Sequence, residues 1–449
     1  MQMKYDENSY DALLERIFLI SPSVQNVGFA PDAYKPGLEG MCAFSRKLGD
    51  PWKRFRCIHV AGTNGKGSVA SMLASMLTCS PCEAAELLTG GSAPRNAPPG
   101  PTGPNTVHLR VGLYTSPHLT DFRERMKVIT DRGWRMPTKR QVWDFFQKYD
   151  TSGLSFFEMT TGLAFWWFAK QKVDIAVIET GLGGLLDSTN IITPELCVIT
   201  SIGLDHCALL GNTRAEIAVQ KAGIFKSGVP AVIAAEDPET APVFRAKAKA
   251  LGCPLIFADH EPSSVDEDTI LRRMDLQGPC QRQNLHTALI ALKTLGYAPD
   301  IPAIEKTAKR TGLRGRWETL CKKPGVICDI GHNPPALQLN FSRLAAMERN
   351  NLIIVYGIMA DKDLERIAPL MPADASYILV SPDTPRAMPH HSLFQKLSRL
   401  RPGLNLREAP GVADGISLAL SMAGPRDLIY IGGSTFVVTE AITYFDNLQ

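Results

Sequence analysis

The run His59-Val60-Ala61-Gly62-Thr63-Asn64-Gly65-Lys66-Gly67-Ser68 holds residue types that can bind phosphate. Gly62, Thr63, Asn64 and Gly65 read as a turn whose successive backbone N–H groups can face one anion. Lys66 supplies a cation for outer phosphates, and the Ser68 hydroxyl suits a magnesium ion. Glycine is needed because a Cβ would block close backbone approach. The usual phosphate-loop pattern places Ser or Thr directly after the lysine; here Gly67 intervenes. A glycine turn without a nucleotide is the alternative.

Such a turn must be held between a strand and a helix. Cys57-Ile58-His59-Val60 predicts a buried strand, and the small and apolar residues 69–77 predict a helix whose N-terminus adds partial positive charge. A second apolar run, 173–179, ends in Glu179 and is followed by Gly181-Leu182-Gly183-Gly184. A carboxylate at the C-terminal edge of a parallel strand sits where open α/β sheets bind ligands. It offers the hard oxygen that magnesium needs. A third run, 196–202, leads into Asp205-His206, a pair suited to metal contact, with manganese a good substitute because imidazole is softer than magnesium prefers. Lys221 and Lys226 flank Ala222-Gly223-Ile224-Phe225 and read as solvated helix lysines. Further on, Gly315-Arg316-Trp317-Glu318 and Cys328-Asp329-Ile330-Gly331-His332-Asn333-Pro334 are dense in polar groups. Pro334 suits a helix N1 position. This cluster reads as a half-site facing the glycine turn across a cleft.

The elements around these residues alternate. Strands are expected at 57–61, 110–114, 173–179, 196–202, 229–234 and 254–257, then at 326–330, 352–357, 376–381 and 427–432. Helices are expected at 139–149, 156–171, 213–226 and 281–295. This pattern predicts α/β architecture with mainly parallel sheets. Residues 79–107 are rich in Pro and Gly and read as a surface insertion. The pattern breaks at 297–312, so we expect one domain over 1–300 and a smaller one over 301–449.

At 449 residues the chain is long enough for two or three domains. Its net charge of +3 is too weak to argue nucleic-acid binding, although a local basic pocket for an anionic substrate fits. The N-terminus carries no signal-peptide apolar core, and the most apolar window, 163–169, ends at Lys170, too short to span a bilayer. A cytoplasmic protein without a membrane partner is expected. The ten cysteines fit reduced thiols, with Cys57, Cys197 and Cys328 buried in strands. Cys79-Ser80-Pro81-Cys82 lacks a second pair at zinc spacing and reads as loop.

Taken in order, the blocks at 59–68, Thr115-Ser116-Pro117-His118-Leu119, Phe156-Phe157-Glu158, 179–190, Asp205-His206, 220–226, 315–318, 329–334 and Asp361-Lys362-Asp363 resemble the folylpolyglutamate synthase/dihydrofolate synthase family of the Mur ligase superfamily. The resemblance runs from about residue 10 to the C-terminus. It implies a P-loop NTPase-like N-terminal domain and a Rossmann-like C-terminal glutamate ligase domain. It implies an ATP-dependent ligase that adds L-glutamate to dihydropteroate, to reduced folates, or to both, through an acyl phosphate.

By the same resemblance, residues 62–68 hold the ATP phosphates, and Ser116, Glu179 and His206, with Ser68 nearby, hold Mg2+ or Mn2+. Asn284, Arg316 and Asp329 contact the nucleotide, and Lys221 is carbamylated. Ser155, Phe156, Phe157, Glu158, Leu186, Asp187 and Ser188 form the pterin-binding segments. Lys66, Lys221 and His332 serve catalysis. A monomer is expected. Leu185 stands where the family usually has Arg, which bears on anion contacts there. The alternatives are a single-activity folylpolyglutamate synthase, a related ligase for another acid, and a nucleotide-binding protein without ligase activity. Cell-wall Mur ligases carry an extra domain before the P-loop, and only about 58 residues precede it here.

Overall fold

The computed structural model describes residues 5–20, 37–78 and 108–448. The expected insertion and the Cys79–Cys82 pair lie outside the described residues. Two sheets organise the chain. The first has eight strands in the order β4-β3-β2-β5-β1-β6-β7-β8. These are β1 (Arg56–Ala61), β2 (Val111–Tyr114), β3 (Met126–Thr130), β4 (Gly133–Arg135), β5 (Ile175–Glu179), β6 (Leu196–Ile199), β7 (Ala231–Ile233) and β8 (Leu255–Phe257). Six of them run parallel, and β3 and β4 join antiparallel at one edge. The second sheet has the order β13-β12-β11-β14-β10-β9, formed by β9 (Glu318–Lys322), β10 (Gly325–Asp329), β11 (Leu352–Tyr356), β12 (Ala375–Leu379), β13 (Asn405–Glu408) and β14 (Leu428–Gly432). It is parallel except for β9.

The helix Lys66–Leu77 explains its own composition. Every residue from Gly67 to Leu77 is buried. A helix enclosed on all sides needs small and apolar residues around its whole circumference. Of its serines, Ser75 Oγ donates to the Ala303 carbonyl at 2.8 Å. That contact also sets the domain boundary. The helices Ile301–Glu305 and Thr307–Thr311 follow the pattern break, yet Ile304 is part of the first sheet's core. The first domain therefore continues past residue 300, to about Gly312. Lys127 Nζ donates to the Thr311 and Gly312 carbonyls at 2.9 and 2.8 Å and lies 5.0 Å from the Trp134 ring centre. Arg314 belongs to the other side: its guanidinium bonds Glu318 and Asp446.

Several elements differ from expectation. The run 196–202 leaves the sheet after Ile199, because residues 200–203 turn to bond the glycine loop. The helix expected over 213–226 ends at Ala222; Gly223 there lies against Leu185, whose Cα stands 2.4 Å from where a Cβ on Gly223 would be. Strands β3, β4, β9 and β13 were not anticipated. They are edge or near-edge strands, and β13 is mostly polar and exposed, a pattern that guards a sheet edge rather than marking a core. Among the described residues no helix is long and apolar enough to cross a membrane.

Candidate active site

The sheet order brings the predicted residues together. Strands β2, β5, β1 and β6 are neighbours, and all four run the same way. Their C-terminal ends therefore carry Ser116, Glu179, the glycine loop and Asp205-His206 to one edge. In the second sheet, the ends of β11, β14 and β10 bring Met359, Ser434 and His332 to the same space.

The glycine loop is held from below. Thr63 N donates to the Ser201 carbonyl at 2.7 Å, and Asn64 N donates to Ser201 Oγ at 3.1 Å. Gly62 and Gly65 have φ of 153° and 88°. A Cβ on Gly62 would stand 1.8 Å from Thr200 Oγ1, and one on Gly65 2.3 Å from Asn284 Oδ1. Gly65 caps the helix, so the N–H groups of its first turn lack intrahelical acceptors and are available to an anion. Lys66 Nζ curls back to donate to the Gly62 and Thr63 carbonyls at 3.1 and 3.3 Å, and it lies 3.9 Å from Glu179 Oε1.

Glu179 is 3% exposed, and burial raises its carboxyl despite the nearby Lys66. Ser116 N donates to its Oε2 at 3.2 Å. Ser68 is buried on the helix's first turn and accepts from Gln281 Nε2 at 3.4 Å. Among the described residues no three His, Cys, Asp or Glu side chains converge on one point. A metal here would instead be met by one carboxylate, two hydroxyls and the His206 ring, a mainly oxygen donor set that fits magnesium or manganese. Burial lowers His206 to about 4, so its ring is neutral and able to bind a metal.

Lys221 is not a solvated helix lysine. It is 3% exposed, and its Nζ donates to the Gly62 carbonyl at 2.7 Å. Burial, with Lys66 close by, lowers it to about 7. Lys226 points away and donates to the Asn190 carbonyl at 2.9 Å.

Two cavities meet at Asn64. One, of about 270 Å³, is lined by Lys66, Ser116, Phe157, Asp187, His332 and Lys362 among others. Ser155, Phe156, Leu186 and Ser188 are also on its wall. Glu158 is not: it completes a capping box with Ser155 and packs on Gly40, so it shapes the helix Phe156–Lys170 rather than the cavity. Gly181 lets the Phe157 ring lie against the loop, since a Cβ there would be 2.5 Å from the ring. Arg125 lines the same wall, donates from Nε to His118 Nδ1 at 2.9 Å, and lies 5.1 Å from the Phe156 ring centre. Leu185, by contrast, lies outside both cavity walls.

The other cavity, of about 950 Å³, is lined by Gly65, Ser201, Cys280, Asn284 and Pro335 among others. Arg316 crosses from the second domain to the loop; a Cβ on Gly67 would be 3.5 Å from its Nη2 and from Glu179 Oε2. Asp329 has its oxygens committed to Trp317 N, Gly331 N and Asn340 Nδ2, so it shapes the Arg316 loop and lines neither cavity.

Asp205, read from the sequence with His206 as a pair suited to metal contact, is also a hub between the domains. It takes hydrogen bonds from Asn333 Nδ2 at 3.0 Å and Lys362 Nζ at 3.3 Å, and His332 Nε2 is 3.9 Å away. Burial alone would raise its carboxyl, but His206, Lys362, His332 and Asn333 hold it well below the usual range. Asn64 and Asn333 also pair amide to amide, at 3.0 and 3.2 Å. His332 Nδ1 is 3.0 Å from the Ile330 carbonyl, and burial lowers the ring. Ser434 was missed as well, although Gly432-Gly433-Ser434 after an apolar run is a second glycine turn leading into a helix.

The chain is similar to known proteins in sequence and in fold. Residues 315–435 match the family described as Mur ligase, glutamate ligase domain. The dihydrofolate synthase/folylpolyglutamate synthase of Bacillus subtilis is 32% identical, over 90% of this chain and 94% of that protein. A Haloferax volcanii protein named "Probable bifunctional folylpolyglutamate synthase/dihydropteroate synthase" is 30% identical over 91% of this chain, which spans 48% of that protein's length. The structure of E. coli FolC in complex with DHPP and ADP has a TM-score of 0.76 and 25% identity, covering 98% of each chain. With likeness along nearly its whole length, the chain belongs to the dihydrofolate synthase/folylpolyglutamate synthase family of ligases.

Proposed function

We infer that this chain joins L-glutamate to dihydropteroate, to a reduced folate, or to both, at the expense of ATP. The observation that carries this reading is the smaller cavity. Its wall joins the phosphate-loop Lys66, the aromatic and Asp187 surface, and the basic groups Lys362 and Arg386 of the second domain. Three ligands of different chemistry can meet there: a nucleotide, a flat heterocycle bearing an acid, and an amino acid with two carboxylates.

The reaction follows from that meeting. An oxygen of the acid attacks the γ-phosphorus of ATP, the bond to ADP breaks, and an acyl phosphate forms. The glutamate amine then attacks the acyl carbon, the C–O bond to phosphate breaks, and an amide results. Lys66 and the N–H groups of the first turn of its helix would steady the phosphoryl charge, which is most of what such transfers need. A metal held by Ser68, Ser116, Glu179 and His206 would supply further charge neutralisation. Asn284 and Arg316 would hold the nucleotide from opposite domains. Asp329 would act one step back, by shaping the Arg316 loop. With Nδ1 on the Ile330 carbonyl, His332 would have Nε2 unprotonated beside Asp205, placed to take the proton that the amine loses.

Lys221 would carry a carbamate. Its neutral Nζ adds to carbon dioxide, an N–C bond forms and a proton leaves; a lysine lowered to about 7 is neutral enough for this near physiological pH. Enzyme treated with 13C-labelled bicarbonate and trapped by alkylation should retain label at Lys221, increasingly so from pH 6 to 8.

The deciding experiment is phosphate release with ATP, magnesium and L-glutamate, comparing 7,8-dihydropteroate with a reduced folate monoglutamate and weighing the product. Amide from both acids establishes two activities, and amide from one assigns a single step. ATP binding with amide from neither would overturn the reading.

A further inference from the structure

His59 is a buried titratable group that the reaction above leaves without a task. It lies on β1 with no exposed surface. Its Nε2 is 2.8 Å from Thr189 Oγ1, while its Nδ1 has no partner. The Thr189 hydroxyl in turn touches Asp187 Oδ1. Thr189 N donates to that same oxygen at 3.0 Å, and Leu182 N donates to Oδ2 at 2.8 Å. Asp187 is on the cavity wall.

The direction of this chain is fixed by counting protons. Burial raises the Asp187 carboxyl, but Thr189, Leu182 and Gly181 all set donors on it, as an ionised carboxylate requires. Such a group only accepts, and a hydroxyl has one proton. The Thr189 proton therefore lies toward Asp187, and the Thr189 oxygen faces His59 with a lone pair. His59 Nε2 must then carry the ring proton. The unpartnered Nδ1 agrees, because a proton there would be a buried donor without an acceptor. At the far end, Thr189 fills Oδ1 twice; Oδ2 takes Leu182 N, with the Gly181 N–H also acting on this carboxylate, and the remaining lone pair of Oδ2 is the one left for a ligand N–H.

We propose that His59 is a positioning residue for the acid substrate: through Thr189 it holds the Asp187 carboxylate so that Oδ2 meets a ring N–H of a pterin-class heterocycle. The proposal rests on the reading that this cavity takes a pterin-linked acid. It ties the strand that leads into the phosphate loop to the loop that grips the acid.

The test uses the full chain and separates the two ligands. Thr189→Val and His59→Leu should each raise KM for the pterin acid about tenfold, the loss expected for one hydrogen bond in a charged chain. KM for ATP and kcat should stay within about twofold. His59→Gln, which places an N–H near the Nε2 position, should recover most of the loss. Wild-type KM in Thr189→Val would overturn the proposal, as would equal rises in both KM values with a fall in Tm. Nitrogen-15 NMR of the unaltered protein gives an answer that needs no variant: the His59 ring should be neutral with its proton on Nε2, and a proton on Nδ1 would overturn the proposal. Failure of the unaltered protein to turn over either acid would instead remove the reading beneath it.

Discussion

At the residue scale, the site depends on charges whose neighbours change what they do. Lys66 is bonded to its own loop, so its ammonium is preset where outer phosphates would lie. Lys66→Ala should lower kcat at least about a thousandfold, as removal of a preorganised transition-state charge does. Turnover near that of the unaltered enzyme would remove the phosphate-loop assignment. His59 makes a different prediction. Burial lowers it to about 3, far below an ordinary histidine. Between pH 6.5 and 3 the unfolded chain gains a proton that the native one refuses, so this group costs stability as pH falls through that window. His59→Gln should therefore flatten the decline of Tm with acidification relative to the unaltered protein, and an unchanged slope would contradict it. Lys66, Ser68 and Glu179 were legible in the sequence because each stands beside a strand end or a glycine turn. The burial of Lys221, named only by resemblance, was not, because its partner is the Gly62 carbonyl, far away in sequence.

At the scale of elements, the parallel strands were readable from their apolar runs, since strands covered on both faces carry no polar alternation. Of the edge strands only β8 was, at 254–257; β4, β9 and β13 were not, because polar residues there answer to solvent. The helix Phe156–Lys170 shows how closely elements fit. A Cβ on Gly162 would stand 2.3 Å from the Phe44 ring, which belongs to the helix Glu39–Lys47. Gly162→Ala should destabilise the protein by about 1–3 kcal/mol through overpacking. Denaturant unfolding should show this as a lower midpoint at unchanged slope.

At the scale of the molecule, the cleft is tied shut by side chains from both domains. Asn333 caps the helix Pro334–Ala346 and also bonds Asn64 and Asp205 of the first domain. Asn333→Asp keeps the cap but sets a second carboxylate against Asp205. The free enzyme should then have a larger radius of gyration in X-ray scattering and a higher KM for glutamate, with Tm nearly unchanged. The same radius as the unaltered enzyme would mean that other contacts hold the cleft. The half-site at 329–334 was legible as a polar cluster after a strand. Asp205 was read only as half of a metal-contact pair, because its bonds to Asn333 and Lys362 exist only where the two domains meet.

The tie between Lys127 and the carbonyls of Thr311 and Gly312 has a mechanical consequence. It pegs the last turn of the first domain, while Arg314 is already moored to Glu318 and Asp446 in the second. Leu313 alone spans the two moorings. A swing of one domain on the other along this connection is thus carried by very few torsions, like a door on a single pin. Small rotations there become large displacements at the mouth of the cleft. A change confined to that pin should therefore alter how the cleft opens while leaving untouched the walls that hold what lies inside.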